Sequence, residues 1–157
     1  MKISYNWLSQ YIHLNESPEE VSELLTSIGL EVEGVEHFES LKGGLKGLLV
    51  GEVMEKWQHP NADRLSCTKV DVGKGELLSI VCGAPNVTEG QKVIVATVGT
   101  LLYLPEGESF EIKKSKIRGE TSQGMMCAED EIGVGQSHDG IMVLPSDTKV
   151  GMPASEI

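Results

Sequence analysis

Aromatic side chains are scarce in this chain: two Trp, three Tyr and two Phe make up 4% of 157 residues. The packing must therefore come mainly from the aliphatic residues that bring the apolar content to 39%. Cysteine is sparse as well. Cys67, Cys82 and Cys127 lie far apart, are odd in number and form no CxxC pair. That excludes a disulfide framework and points to free thiols in a reducing cytoplasm. Together with His59 they match no zinc-ligand spacing, so no metal is expected. No apolar run approaches the ~20 residues of a membrane-spanning helix. The opening MKISYNWLSQYI has one Lys, no long apolar stretch and no small-residue cleavage site, unlike a secretory signal. A phosphate loop of the GxxxxGKS/T form is missing, and no His lies in a triad motif. Neither catalytic residues nor a cofactor are expected in the chain itself.

Positive charge is also in short supply. Thirteen Lys and Arg face 24 Asp and Glu, for a net charge of −11. A uniformly basic polyanion binder is thereby excluded. The distribution is uneven, however. Residues 1–39 hold one Lys against eight Glu, whereas residues 40–150 hold twelve Lys and Arg against fifteen Asp and Glu. The central region is nearly balanced and has the means to present a local basic face.

Glycine is what the chain has in quantity, with 18 residues spread along it. Such spacing suits tight turns between short strands. The length allows one ordinary domain or two small ones. Residues 4–12 read as a short amphipathic helix with Trp7, Leu8 and Tyr11 on one side. A second helix has clear punctuation: Ser17 as N-cap, Pro18 in the first turn, Glu20 completing a capping box, and Gly29 as the stop. Val21, Leu24, Leu25 and Ile28 mark its apolar face. Residues 30–38 are expected to be a strand, with Gly34 marking a bulge. The stretch ESLKGGLKG at 39–47 reads as a linker.

Strands then dominate. Residues 48–57, 67–72, 77–82 and 91–98 are expected strands, with a hairpin turn at 73–76 and a connection at 84–90 that has room for one helical turn. Residues 101–108 read as a loop and 109–118 as extended. A short helix is expected near 127–132 and a last strand at 141–144. Short strands with Gly-rich turns suggest a sandwich or small barrel, and a short connection after the third strand favours a five-stranded OB barrel.

Within that region an ordered set of motifs appears: His59-Pro60-Asn61-Ala62-Asp63-Arg64-Leu65, then Val81-Cys82-Gly83-Ala84-Pro85-Asn86, then Lys116-Ile117-Arg118-Gly119, Ser122-Gln123-Gly124-Met125-Met126-Cys127 and Ala128-Glu129-Asp130-Glu131-Ile132-Gly133. In order and spacing they resemble the tRNA-binding OB domain of the phenylalanine–tRNA ligase beta subunit, of many methionine–tRNA ligase tails and of small free-standing tRNA-binding proteins. The N-terminal stretch, with SIGLEVEGVE after the capped helix, resembles the opening of the bacterial phenylalanine–tRNA ligase beta subunit. The resemblance implies a mainly β, α+β fold: a five-stranded OB-fold barrel inserted after a small N-terminal helix-helix-strand segment. Residues 1–39 would be the first half of a split small domain, 40–150 the tRNA-binding OB domain, and 151–157 the start of the return. The chain would then be a fragment of a longer cytoplasmic subunit. That parent would attach phenylalanine to its tRNA with ATP and Mg2+, as two alpha and two beta subunits, with catalysis in alpha. Where the family has Ser after the Cys and a basic residue two positions later, this sequence has Ala128 and Asp130.

RNA contact is expected at Asn61, Arg64, Tyr103, Lys113, Lys114, Lys116, Arg118 and Ser122. OB barrels bind oligonucleotides on strands two and three and on the flanking loops, which places Asn61 and Arg64 well. On an extended strand Lys114, Lys116 and Arg118 would project to one side at roughly 7 Å intervals, near the spacing of successive phosphates. Tyr103, in a loop, is the stacking candidate, while Trp57 is assigned to the core, as are Met125 and Met126. Two alternatives stay open: a free-standing tRNA-binding or chaperone protein, and an acidic OB interaction module without RNA contact.

Overall fold

Ser17 accepts a hydrogen bond from the Glu20 backbone at 3.2 Å, and the Glu20 carboxylate accepts from the Ser17 N–H at 2.7 Å. This reciprocal cap starts the helix Pro18–Ser27 (α2). Ahead of it, Ser4 caps the single turn Tyr5–Leu8 (α1). Both belong to the computed structural model of the chain, which describes residues 1–39, 41, 43–103 and 108–157. The chain divides into two units, 1–38 and 39–157.

In the first unit neither helix buries a residue fully. Val21 and Leu25 are half-buried, but Leu24, Ile28, Leu30, Val35 and Phe38 stand in the open. Trp7 and Tyr11 meet edge to face with centroids 5.3 Å apart. The expected strand at 30–38 does not form. A strand needs a ladder partner, and among the described residues of this unit no second extended segment supplies one.

The second unit is a nearly closed antiparallel barrel. Its long strand Leu48–Gln58 (β1) carries a bulge between Val53 and Glu55. One half pairs with Lys92–Thr97 (β4) and the other with Ser66–Asp71 (β2), which in turn pairs with Leu78–Cys82 (β3). Bulges bend and twist a strand, which lets β1 serve two partners. Gly51 sits at the crossover, where a Cβ would lie 2.7 Å from a Val95 methyl and 2.8 Å from a Val70 methyl.

Two hairpins follow β4. Leu101–Tyr103 (β5) pairs with Ser109–Glu111 (β6), and Ser115–Ile117 (β7) pairs with Glu120–Ser122 (β8). Gly124–Met126 (β9) and Val143–Leu144 (β10) both join β4. Two sequence expectations are corrected here. The start of the loop expected at 101–108 is strand β5, the rest of it falling largely on 104–107, outside the described residues. The extended segment at 109–118 is two short strands in different hairpins. A third correction concerns 84–90, which forms turns and no helix. Its polar groups are engaged elsewhere: the Asn86 amide pairs with the Ile141 backbone at 2.9 and 3.0 Å, and Gln91 bonds Asn86 and Thr88. Val87 from this connection is wholly buried.

Strand β4 divides the core. Val93 and Val95 face the barrel interior with Val53, Val70, Ile80 and Met126. Ile94 and Ala96 face an outer layer with Val50, Leu102, Ile112 and Cys127. Burial on both faces explains the uninterrupted apolar run of this strand. Asp130–Ile132 forms a 3-10 turn in the expected helical position, and its Ile132 packs into the outer layer. Leaving the barrel, the chain runs back along β1: Gly151 N–H donates to the Val50 carbonyl at 2.8 Å, Val50 N–H donates to that of Met152 at 2.9 Å, and Leu49 bridges Pro153.

Candidate nucleic-acid interface

The loop from His59 to Leu65 is built from its own side chains. Gln58 Nε2 donates toward the carbonyls of Ala62, Asp63 and Leu65 at 3.0, 3.1 and 3.1 Å. His59 is buried and bonded at both ring nitrogens. The Asn61 N–H donates to Nδ1 at 3.0 Å, so Nδ1 carries no proton and Nε2–H donates to the Ile117 carbonyl at 3.0 Å. Asn61 Nδ2 adds a bond to the Arg118 carbonyl at 3.2 Å. His59 and Asn61 thus fasten the β1–β2 loop to the β7–β8 hairpin. Sequence reading missed Gln58 and His59; a His-Pro pair at a strand end was the available signal.

The hairpin tip is Arg118-Gly119, with φ of 49° and 104°. Two residues of positive φ between paired strands form a turn of the primed type, matched to strand twist. Arg118 therefore sits in a turn and Lys114 lies before β7, leaving only Lys116 on the strand. The evenly spaced row of three charges does not form. Instead Arg118 is brought beside the loop that carries Arg64. Arg64, Lys114, Lys116 and Arg118 are exposed and make no ion pair among the described residues. Lys113 faces Glu111 at 3.7 Å.

Ser122 is placed differently. It is buried, and its Oγ accepts from the Val81 N–H at 3.1 Å while donating to the Gly124 carbonyl at 3.0 Å. Gln123 N–H donates to the Ser79 carbonyl at 2.8 Å, and its side-chain oxygen accepts from Ser79 N–H at 3.3 Å. These bonds close the barrel between β3 and the β8–β9 junction. Gly124 completes the fit, since a Cβ there would lie 2.8 Å from the Ala96 carbonyl oxygen. The Ser-Gln-Gly motif is thus the seam of the barrel.

Tyr103 is half-buried across from Ser109, and a side chain at Gly43 would collide with its ring. Trp57 departs from expectation: it is 42% exposed and contributes to neither core cluster. Parity explains this. Beyond the bulge the register is Trp57 opposite Cys67 opposite Val81, the alternate row to Thr68 and Ile80, which face inward. The two departures from the family pattern are occupied within the chain. Ala128 N–H donates to the Glu131 carboxylate at 2.7 Å, and Asp130 pairs with His138 at 2.9 Å. All three thiols are buried, and desolvation pushes Cys127 up to about 12, aided by Glu131. Among the described residues no group of three or more His, Cys, Asp or Glu side chains is arranged to hold a metal ion. None of the described helices is long and apolar enough to cross a membrane.

Residues 48–153 match the family described as "Putative tRNA binding domain". Over 99% of its length the chain is 60% identical to a phenylalanine–tRNA ligase beta subunit of Porphyromonas gingivalis and 58% identical to that of Bacteroides fragilis. The corresponding subunit of Salinibacter ruber is 49% identical, again over 99% of the chain. The chain spans about 19% of the length of each of these relatives. With a nearly closed antiparallel barrel bearing all the expected motifs in order, and a family match over most of its residues, the chain belongs to the tRNA-binding domain family.

Proposed function

We propose that this chain is the tRNA-contacting accessory module of a phenylalanine–tRNA ligase beta subunit, and that it holds RNA at the corner where the 59–65 loop meets the 118–119 turn. The observation that carries the reading is the pair of bonds from His59 and Asn61 to the carbonyls of Ile117 and Arg118, which join the loop carrying exposed Arg64 to the hairpin carrying exposed Lys116 and Arg118. Cations without an internal partner are free to exchange counterions for phosphates. In this reading Asn61 shapes the corner and Ser122 the barrel seam, and Lys113, Lys114 and Tyr103 add contacts outside the corner. The parent enzyme joins phenylalanine to its tRNA using ATP and Mg2+, with an alpha subunit supplying the active site, two alpha with two beta, in the cytoplasm. ATP and Mg2+ belong to that parent and not to residues of this chain. The N-terminal position of the module, and its insertion between residues 1–39 and the segment that starts at 151, belong to the same proposal. The bridge of Leu49 to Pro153 supports the insertion, because the chain enters and leaves the barrel side by side.

Titration of labelled tRNA at two salt concentrations tests this. Binding should weaken steeply with salt, and reversing Lys114, Lys116 and Arg118 to Glu should lower affinity and flatten the slope by about 2–3, near 0.7–0.9 per lost phosphate contact. No binding at low salt would reject the reading. One observation favours the rival of an interaction module without RNA contact: where the family has groups able to contact phosphate, the Ala128 N–H is taken by Glu131 and the Asp130 carboxylate by His138.

A further inference from the structure

Trp57 lies across from the buried Cys67, yet much of its indole is left in the open. It stands 42% exposed on a strand, outside both core clusters, and makes no ring or cation–π contact among the described residues. An indole on a strand would gain stability by burial, and here it faces water at the root of the loop that carries Arg64. We propose that Trp57 is a stacking platform for one unpaired nucleobase, with Arg64 and Arg118 taking the flanking phosphates. This rests on the RNA-binding reading and adds to it the class of RNA recognised, single-stranded.

Geometry supports the choice of a base over a phosphate at this position. Trp57 lies two residues before His59 and opposite the buried Cys67, on the row alternate to Thr68 and Ile80. The next row on that face is Glu55 opposite Lys69, and Lys69 Nζ is held by Ser79 Oγ at 2.8 Å. Glu55 repels a phosphate there, and Lys69 is already engaged. Toward the loop Arg64 and Arg118 are exposed, with Asp63 beside Arg64 and Glu120, near enough to Cys67 to act on its thiol, as opposing carboxylates. A base therefore fits over the ring while its phosphates reach toward the loop. Indole–base stacking tolerates any base, since every base has a π-face. An unpaired base is required because in a duplex both faces are covered by neighbours.

Trp7 and Trp57 are the two tryptophans of the chain. With Trp7→Phe as background, Trp57 fluorescence reports on stacking directly. A short single-stranded RNA should quench it, and the duplex of the same sequence should quench it little. Trp57→Ala should weaken single-strand binding roughly tenfold, leaving the salt slope unchanged, because stacking releases no counterions. Trp57→Phe should retain most of the affinity, and circular dichroism checks that each variant is folded. If tRNA binds with a steep salt dependence but leaves the fluorescence unchanged, the stacking proposal fails and the RNA reading stands. Equal quenching by duplex and single strand also overturns it. If no RNA binds at low salt, both fail.

Discussion

Asn61 and Arg118 stand 57 positions apart in the chain and are joined by a 3.2 Å hydrogen bond from the Asn61 side-chain nitrogen to the Arg118 carbonyl. Arg118 is also one of two non-glycine residues with positive φ among the described residues, at 49°. The bond holds a strained backbone next to the loop that Asn61 belongs to. Replacing Arg118 by Gly should therefore separate two properties. The turn should gain up to about 1 kcal/mol, since glycine adopts this conformation without the Cβ penalty. RNA affinity should fall, because the cation is lost. Urea unfolding and tRNA titration of R118G measure the two. Asn61→Ala, by contrast, should lower both stability, by about 1 kcal/mol, and affinity.

Ser122 is expected to matter to stability far more than its half-buried neighbours. In Ser122→Ala the Val81 N–H loses its acceptor inside the barrel seam. An orphaned buried donor costs about 1–3 kcal/mol. Chemical denaturation should show a lower midpoint with an unchanged slope. Thr121→Ala, one residue earlier on the same strand, serves as the comparison.

The thiols should be inert in the folded protein. Cys127, pushed up to about 12 by desolvation, is almost entirely protonated near neutral pH. Desolvation raises Cys67 and Cys82 as well. A chromogenic disulfide reagent at pH 8 should react slowly with the native chain and titrate three thiols in denaturant. Fast native reaction of one equivalent would show that a strand bearing a cysteine opens readily.

His138 should give the 128–139 segment a pH dependence. Its pKa is raised above the ordinary 6.5, first by the hydrogen bond to Asp130 and then by the charge of that carboxylate. A raised folded-state value means that the contribution is full below the ordinary histidine range and is lost as pH rises through the folded value. Proton resonances of His138 should titrate above 6.5, and Asp130→Asn should bring the midpoint down. The ring is exposed, so the effect on global stability should be small.

Much of the barrel was legible because its signals are local. The capping box of Ser17 and Glu20 is a short-range pattern, β3 and β4 announce themselves as apolar runs between glycines, and β2 shows the alternation of Thr68, Val70 and Val72 against Cys67, Lys69 and Asp71. Three-residue strands such as β5 and β9 carry too few residues to show a period. They exist because β6 and β4 offer them partners, which is a tertiary fact. Residues 30–38 show the reverse case, a strand-like composition without a partner. The site was half legible. Asn61 and Arg64 stood out by motif, but the bulge between Val53 and Glu55 resets the parity of β1, so the exposure of Trp57 follows only from the observed register. Ser122 reads as a contact because it is a polar residue in a family motif, whereas its burial depends on where β3 runs.

The antiparallel bridge of Leu49 and Pro153 has a mechanical consequence. Tension applied through residues 47 and 154 would load the bonds between β1 and the departing segment one after another, as a zipper is opened. The barrel should therefore peel apart under modest force. For the same reason it should be removable: a few residues suffice to splice the flanking chain once the barrel is cut out.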